Sequence, residues 1–224
     1  KLKCRNEQVS NQSLTIQNLG EISKYKTTAS GKDWLTDILD PSRKVVFGDY
    51  DRDLGLMENV EGDNIINRGE CELICQMIDS LIVSGVSCER IGVMTLYRAQ
   101  LKLLQSKLKS PRYKGLEVLT ADQFQGRDKD CILISMVRSN NELKGGSLLK
   151  EVRRVNVAMT RAKSKLIIIG SKDTITSIGG IREFMGMLEH NGWIYKLPSD
   201  CLKTYNFANA VITDGKCTQP GPSG

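Results

Sequence analysis

The sequence alternates short apolar runs with stretches in which apolar residues recur at helical spacing. The apolar runs have the length of buried strands and predict strands at residues 44–48, 91–96, 116–119, 131–137, 166–170 and 193–197. Most of these runs are apolar without interruption, which is typical of strands that are buried on both faces. The pattern therefore predicts an α/β fold in which helices cover both faces of a mainly parallel sheet.

Helical spacing fills the intervals between these runs. It predicts helices at residues 70–83, 98–109, 148–163 and 179–190. Residues 49–69 are acidic and contain glycine and asparagine, so we expect a surface loop there. Patterning is weak in residues 1–43 and is lost from Cys201 onward. We therefore expect a lead-in segment from an upstream domain, a core at residues 44–198 and an irregular tail at residues 199–224.

Composition excludes several classes of protein. Of the 224 residues, 40% are hydrophobic and 26% are charged, which is ordinary for a globular domain. No apolar run approaches the roughly 20 residues that cross a bilayer, so we expect no membrane partner. Seven cysteines, an odd number spread along the chain, favour reduced thiols in the cytosol or nucleus. The chain starts at Lys1 without an initiator methionine, which predicts a piece of a longer protein.

The net charge of +6 is unevenly distributed along the chain. Residues 98–165 hold 16 basic and 6 acidic residues, so this segment alone carries +10. Such a concentration of positive charge suits a polyanionic partner, either a nucleic acid or the phosphates of a nucleotide. On charge alone, a solvated basic surface is the simpler interpretation.

Common phosphate and metal patterns are missing from the sequence. The form G-x-x-x-x-G-K-[ST] does not occur, and the nearest string, residues 30–33, lacks both the first glycine and the final hydroxyl. Cys71 and Cys75 lie one helical turn apart, but no second Cys/His pair follows them. We therefore expect these two cysteines to pack in a helix and assign no residue to a metal. The single histidine, His190, is expected to end a helix.

Two polar segments carry the candidate chemistry. Residues 120–130 read T-A-D-Q-F-Q-G-R-D-K-D and lie between two predicted strands, and residues 153–163 read R-R-V-N-V-A-M-T-R-A-K and lead into another. In a parallel sheet we expect the two segments to converge on the edge where ligands bind. Gly126 permits a close approach of the backbone, and Arg161 can present a planar fork of donors to phosphate oxygens.

The two segments resemble motifs V and VI of superfamily-one helicases, in the branch that contains the nonsense-decay helicase and the DNA replication helicase/nuclease. Residues 122–128 are similar to that branch's V-D-x-F-Q-G-R-E/D signature, and residues 154–162 are similar to R-L-N-V-A-x-T-R-A. Residues 91–100 resemble motif IV, although Leu96 replaces its usual proline. Three ordered motifs at sensible separations make this resemblance specific.

The resemblance implies the second RecA-like domain of such a helicase, without a phosphate loop of its own. Residues 127–129, 136–140 and 148–154 are most similar to the DNA replication helicase/nuclease. In that family a nuclease domain with an iron–sulfur cluster and a first RecA-like domain lie upstream. The implied cofactors are ATP and Mg²⁺, held mainly by the upstream domain, while the cluster belongs to the parent protein. The implied partners are single-stranded DNA and that first domain, and the implied location is the nucleus, with the mitochondrion second.

The resemblance also implies roles for individual residues. Arg161 corresponds to an arginine finger, a catalytic group that stabilises charge developing on the γ-phosphate. The residues expected to contact the nucleotide are Gln125, Gly126, Arg127, Asp128, Tyr97 and Arg98. The residues expected to contact the nucleic acid are Thr120, Asp122, Asn156 and Thr160.

Alternative interpretations differ in substrate or in class of protein. An RNA helicase of the nonsense-decay type shares motifs V and VI, and an upstream cysteine-rich nuclease or zinc-rich module would distinguish the two. A non-catalytic nucleic-acid-binding module could keep the same fold, and an α/β interaction domain could match the motifs by chance. For Arg161 the structural alternative is an ion pair with an acid such as Asp130, which would only brace the sheet edge.

Overall fold

Strands and helices alternate along the part of the chain that the structure describes. The computed structural model describes residues 13–27, 32–50, 56–62, 64–124, 126–144, 160–177 and 179–217. Its strands are β1 (Val45–Asp49), β2 (Asn59–Glu61), β3 (Asn64–Ile66), β4 (Ile91–Thr95), β5 (Glu117–Thr120), β6 (Lys129–Ser135), β7 (Ala162–Gly170), β8 (Ile194–Lys196), β9 (Ile212–Thr213) and β10 (Lys216–Cys217). Its α-helices are α1 (Trp34–Leu39), α2 (Arg68–Val83), α3 (Arg98–Lys107), α4 (Lys172–Thr176) and α5 (Gly179–His190).

One six-stranded parallel sheet, in the order β5-β4-β6-β7-β1-β8, organises the fold. Successive side chains of β7 point to opposite faces of this sheet. Ile167 and Ile169 pack in the core layer that contains α1 and α2, whereas Leu166 and Ile168 pack in the layer that contains α4 and α5. Both layers exclude water from the central strands, which explains their uninterrupted apolar sequence. The predicted α/β fold, with helices on both faces of a parallel sheet, is confirmed.

The interval 49–69, predicted to be a surface loop, contains the antiparallel hairpin formed by β2 and β3. Asn59 pairs with Ile66 across the hairpin, and Gly62 forms its turn with φ of +60°. Each strand has three residues. Apolar and polar alternation cannot be recognised over so short a stretch, so the sequence pattern missed this element.

The helix predicted at residues 148–163 is wrong at its C-terminal end. Thr160 and Arg161 lie in a turn, and β7 begins at Ala162, four residues before the apolar run. The start of β7 is polar but pairs with β6, and its buried Lys165 donates from Nζ to the carbonyls of Asp40 at 2.8 Å and of Arg43 at 2.6 Å. Residues 145–159, the rest of the predicted helix, lie outside the described residues.

The described parts of the lead-in and of the tail pack against the same core. Trp34 and Phe207 are buried in the layer that contains α2. Arg112 holds the tail in place, because its Nη2 donates to the Phe207 carbonyl at 3.0 Å and its Nε donates to Asp79 at 3.0 Å. The boundaries at residues 44 and 198 stay predictions, but both flanking segments share this hydrophobic core. None of the helices in the described ranges is long and apolar enough to cross a membrane.

Candidate functional site

The amino edge of the sheet brings together the residues that precede β6 and β7. Arg161 Nη1 donates to Asp128 Oδ1 at 3.1 Å, and Arg161 Nη2 donates to Thr160 Oγ1 at 3.4 Å. The Lys129 N–H donates to the Arg161 carbonyl at 3.2 Å, so the start of the β6–β7 pairing holds the arginine beside Asp128. The predicted motif V acid and the predicted motif VI arginine are therefore in direct contact.

The contact between Arg161 and Asp128 is open to solvent on one side. The Arg161 side chain is 28% exposed and the Asp128 side chain is 46% exposed. Arg161 Nε is buried and has no hydrogen-bond partner in the described part of the chain. Exposed ion pairs of this kind contribute only about 0–1 kcal/mol, and a phosphate can accept two guanidinium N–H groups at once. An anion that reaches this edge can therefore replace Asp128 as the acceptor.

Asp130, the acid considered as a bracing partner for Arg161, is bound to a different arginine. Its Oδ2 accepts from Arg90 Nε at 2.6 Å. Arg90 ends the short 3₁₀ helix before β4, so this pair joins the starts of β4 and β6. The bracing contact at the amino edge is thus made by Arg90, while Arg161 pairs with Asp128.

A left-handed turn at Gly126 leads into β6. Gly126 has φ of +80°, a conformation that glycine adopts without steric cost, and a Cβ there would meet no described atom within 4 Å. Arg127, the next residue, pairs with Glu117 of β5 at 3.3 Å. Glycine is therefore required by the backbone and not by crowding from the described residues. Gln125 and Asn156 lie outside the described residues.

A groove of about 770 Å³ lies at the opposite, carboxyl edge of the sheet. It is formed by the start of α3, the turn after β5 and one side of β3, and its lining includes Ile65, Leu96, Tyr97, Arg98, Lys102, Thr120 and Asp122. The residues expected to bind the nucleotide therefore lie at two different edges of the sheet. Tyr97 and Arg98 line this groove at the carboxyl edge, away from Arg161 at the amino edge. Thr160, expected to contact nucleic acid, lies at the amino edge instead. The described parts of the two polar segments meet at the amino edge, where Asp128 lies beside Arg161, whereas Thr120 and Asp122 lie at the carboxyl edge.

The groove combines positive charge with an apolar floor. Arg98 and Lys102 are exposed and lie one turn apart on α3, while Leu96 is half-buried beside them. Tyr97 is buried and lines the groove, and this burial raises the pKa of its phenol to about 12. Thr120 donates from its N–H and its hydroxyl to Gln123 Oε1 at 3.0 and 3.1 Å, which fixes the turn after β5. Positive charge beside an apolar surface suits the phosphates and bases of a single strand.

A buried polar cluster lies beneath the carboxyl edge, and the sequence analysis missed it. Glu70 of α2 is fully buried and accepts hydrogen bonds from the Tyr50 hydroxyl, the Ser135 hydroxyl and the Val137 N–H. Desolvation is the main cause that raises the pKa of Glu70, to about 7. Asn67, which caps α2 three residues earlier, was the available signal for a helix start. That spacing predicts a Glu70 side chain turned back toward Asn67, whereas the carboxyl faces the sheet.

The described residues do not form a metal site. Among them, no group of three or more histidine, cysteine, aspartate or glutamate side chains could hold a metal ion. Cys71 is buried on α2, and Cys75 lies one turn away, as expected for packed residues. The acid described at the amino edge beside Arg161 is Asp128, which is already paired.

The parallel sheet, the arginine at its amino edge and the basic groove at its carboxyl edge define a RecA-like helicase domain. The chain belongs to the AAA domain family, which matches residues 1–173. It is 57% identical over 215 residues to the DNA replication ATP-dependent helicase/nuclease DNA2 of Saccharomyces cerevisiae, covering 94% of this chain and 14% of that protein. These findings confirm the predicted resemblance to the second domain of a helicase/nuclease.

More distant relatives carry the same name. The chain is 35% identical over 203 residues to dna2 of Schizosaccharomyces pombe, covering 91% of this chain and 14% of that protein. It is 34% identical over 203 residues to DNA2 of Homo sapiens, covering 89% of this chain and 19% of that protein. The chain therefore spans between about one seventh and one fifth of the length of these relatives.

Proposed function

We propose that this chain is the second motor domain of an ATP-dependent DNA helicase/nuclease that acts in DNA replication and repair. The observation that carries this proposal is the pairing of Arg161 with Asp128 at an exposed sheet edge, in a chain whose sequence has no phosphate loop. Such a domain completes an ATP site whose phosphate loop belongs to an upstream first RecA-like domain. Mg²⁺ is assigned to that upstream domain together with the phosphate loop.

Arg161 supplies the chemistry of this domain at the amino edge. When the γ-phosphate arrives, it replaces Asp128 as the acceptor of the Arg161 guanidinium N–H groups. The fixed positive charge then stabilises the negative charge that develops on the phosphoryl oxygens during transfer. Asp128, once released, is placed to accept a hydrogen bond from the ribose. Gly126, Arg127 and Gln125 are assigned to the same wall.

The groove at the carboxyl edge is assigned to single-stranded DNA. Arg98 and Lys102 provide two cations at the spacing of one helical turn, and Thr120 and Asp122 line the same groove. Because Tyr97 and Arg98 lie at this edge, we assign them to the strand rather than to the nucleotide. Sequence-independent binding follows, since the cations contact phosphates and the floor contacts bases of any kind.

Movement along DNA requires the upstream domain as well as this one. Closure of the two domains on ATP and their opening after hydrolysis alternate the grip on the strand and shift one domain relative to the other. The parent protein is assigned an upstream nuclease domain with an iron–sulfur cluster. Its proposed location is the nucleus, with the mitochondrion as a second location.

Stimulation of ATP hydrolysis by single-stranded oligonucleotides tests this function in the full-length protein. We expect single-stranded DNA to stimulate turnover and RNA of the same sequence to stimulate it far less. This chain by itself is expected to hydrolyse no ATP above a buffer blank, because the phosphate loop is missing from its sequence. Equal or preferential stimulation by RNA would favour a nonsense-decay type of helicase. Stimulation by neither nucleic acid, with single-strand binding retained, would favour a non-catalytic binding module.

A further inference from the structure

Val137 lies two residues after the end of β6, and its backbone conformation is unfavourable for its side chain. It has φ of +70°, a region that is unfavourable for a branched side chain, and it is completely buried. Its N–H lies 3.0 and 2.9 Å from the two carboxylate oxygens of Glu70. Backbone strain of this kind persists where surrounding contacts hold it, and it is concentrated at functional sites. Glu70 is the side chain that makes this contact.

The Val137 turn sets one wall of the groove. Immediately after it, Arg138 Nε pairs with Glu58 at 3.1 Å, and the Ser139 N–H donates to Glu58 Oε2 at 2.9 Å. The Glu58 N–H in turn donates to the Ser139 carbonyl at 3.0 Å. Glu58 directly precedes β2, and β2 pairs with β3, whose Ile65 lines the groove. The position of this hairpin therefore depends on the turn that Glu70 holds.

The second wall is tied to the same carboxyl group through Gln100 of α3. Gln100 Nε2 donates to Ser135 Oγ at 3.2 Å, and the Ser135 hydroxyl donates to Glu70. Gln100 Oε1 also accepts the Asn67 N–H at 2.8 Å, which fixes α3 against the start of α2. Gln100 lies midway between Arg98 and Lys102 in the sequence. The helical turn that carries the two groove cations is thus anchored on the Glu70 cluster.

We propose that Glu70 is a positioning residue for the single-strand groove. Its carboxyl group lies beneath the groove and fixes the position of both walls through hydrogen bonds. This inference rests on the proposed function. The reason is chemical: one carboxyl group has enough lone pairs to accept from Tyr50, Ser135 and Val137 together. A buried network in which each member is satisfied fixes a single arrangement, and binding sites depend on such support beneath their contact residues. Glu70 itself does not touch the strand.

Binding of this chain to a fluorescein-labelled oligothymidylate, followed by fluorescence anisotropy at low salt, tests the inference. We expect Glu70→Ala to weaken binding by about tenfold per folded molecule, because the turn at Val137 and the anchor of α3 are both released. Glu70→Gln keeps the size and an acceptor oxygen and is expected to stay within about threefold of wild type. Glu72→Gln is the matched control, since Glu72 lies on the same helix but is exposed and pairs with Lys107.

Val137→Gly is the second variant and covers the case in which Glu70→Ala does not fold. Glycine accepts the left-handed backbone without strain, but the substitution removes a buried side chain and does not confine the turn, so we expect a lower melting temperature together with weaker binding per folded molecule. Wild-type affinity in a folded Glu70→Ala or in Val137→Gly would overturn the positioning role. Loss of binding in Glu72→Gln equal to that in Glu70→Ala would overturn it too. If the wild-type chain fails to bind DNA at low salt, the proposed groove itself is wrong, which is a different failure.

Discussion

Among the described residues, Arg161 pairs with Asp128, and its Nε has no hydrogen-bond partner. In the full-length protein we expect Arg161→Ala to lower DNA-stimulated ATP turnover by about 10³-fold or more, because it removes the charge aimed at the γ-phosphate. Arg161→Lys keeps the charge but loses the planar fork, so it is expected to restore only a small part of the turnover. Both variants are compared with wild type at saturating ATP and DNA.

Arg90→Ala is the matched control for this pair of variants. Arg90 binds Asp130 at the same edge and is exposed to a similar degree, but it is assigned no contact with ATP. We expect it to lower the melting temperature slightly and to leave turnover unchanged. Arg161→Ala should shift the melting temperature by no more than a few degrees, since an exposed pair contributes about 0–1 kcal/mol. If Arg161→Ala had a much lower melting temperature but normal turnover per folded molecule, the role of Arg161 would be structural and not catalytic.

Glu70 links stability to pH. Its pKa is about 7 in the folded protein against an ordinary value of 4.5, so the folded state binds the proton more tightly than the unfolded state. The free energy of unfolding is therefore expected to fall as the pH rises from about 4.5 to about 7. In urea denaturation, the stability of wild type relative to Glu70→Gln should decrease by about 1–3 kcal/mol between about pH 5 and about pH 8. A constant difference would contradict the raised pKa.

At the scale of elements, the turn before β6 depends on a backbone that only glycine adopts freely. Gly126→Ala places a side chain at φ of +80° and is expected to cost about 1 kcal/mol of stability. The same turn places Asp128 beside Arg161, so relief of the strain should displace that pair. We therefore expect Gly126→Ala to lower ATP turnover in the full-length protein by more than its loss of stability explains. Urea denaturation and steady-state turnover are measured on the same preparation.

Gly192→Ala provides the comparison for Gly126→Ala. Gly192 has φ of +67° and, like Gly126, has no described atom within 4 Å of an added Cβ, but it follows the end of α5. Its substitution should cost about the same stability, about 1 kcal/mol, while turnover stays normal. Equal turnover in the two variants would show that the turn at Gly126 serves folding alone.

Elements whose stability comes from burial could be predicted from the sequence. The uninterrupted apolar runs located the sheet strands, and α5 begins and ends at its predicted residues. The β2–β3 hairpin and the polar start of β7 were not predicted, because pairing with partner strands stabilises them and their sequences show no apolar pattern. Arg161 and Asp128 were both named, but their pairing was not, since 33 residues separate them in the sequence.

The placement of the candidate sites on the sheet edges follows from the order of strands and connections in the sequence. In a parallel sheet, residues that follow a strand lie at the carboxyl edge and residues that precede one lie at the amino edge. Arg98 follows β4 and Arg161 precedes β7, so their separation follows from the strand assignments alone. The Glu70 cluster could not be found in this way, because it joins segments from Tyr50 to Val137 and each contact depends on the completed fold.

At the scale of the whole molecule, the positive charge of residues 98–165 predicts strongly salt-dependent binding of single-stranded DNA. Each phosphate that is neutralised releases counterions, so the logarithm of the affinity should fall linearly with the logarithm of salt concentration. Lys102→Ala is expected to reduce the slope of that line by about 0.7, the contribution of one phosphate contact on a single strand. The measurement is a series of anisotropy titrations of this chain at several salt concentrations.

Lys203→Ala tests whether that effect belongs to the groove. Lys203 is an exposed lysine of the C-terminal segment and does not line the groove. Its removal lowers the net charge by the same amount but should leave the slope unchanged. Equal slopes for Lys102→Ala and Lys203→Ala would mean that binding reflects overall charge and that the groove is not the contact surface.

β6 belongs to both candidate sites at once. It starts at Lys129, whose N–H binds the Arg161 carbonyl, and it ends at Ser135, which binds Glu70. Seven residues of strand span roughly 20 Å, so one rigid segment runs from the ATP wall to the support of the groove. A genetic screen for separation-of-function alleles, in which either ATP turnover or strand binding is lost alone, should find them in the turns that flank β6. Substitutions inside the strand should instead produce alleles defective in both activities.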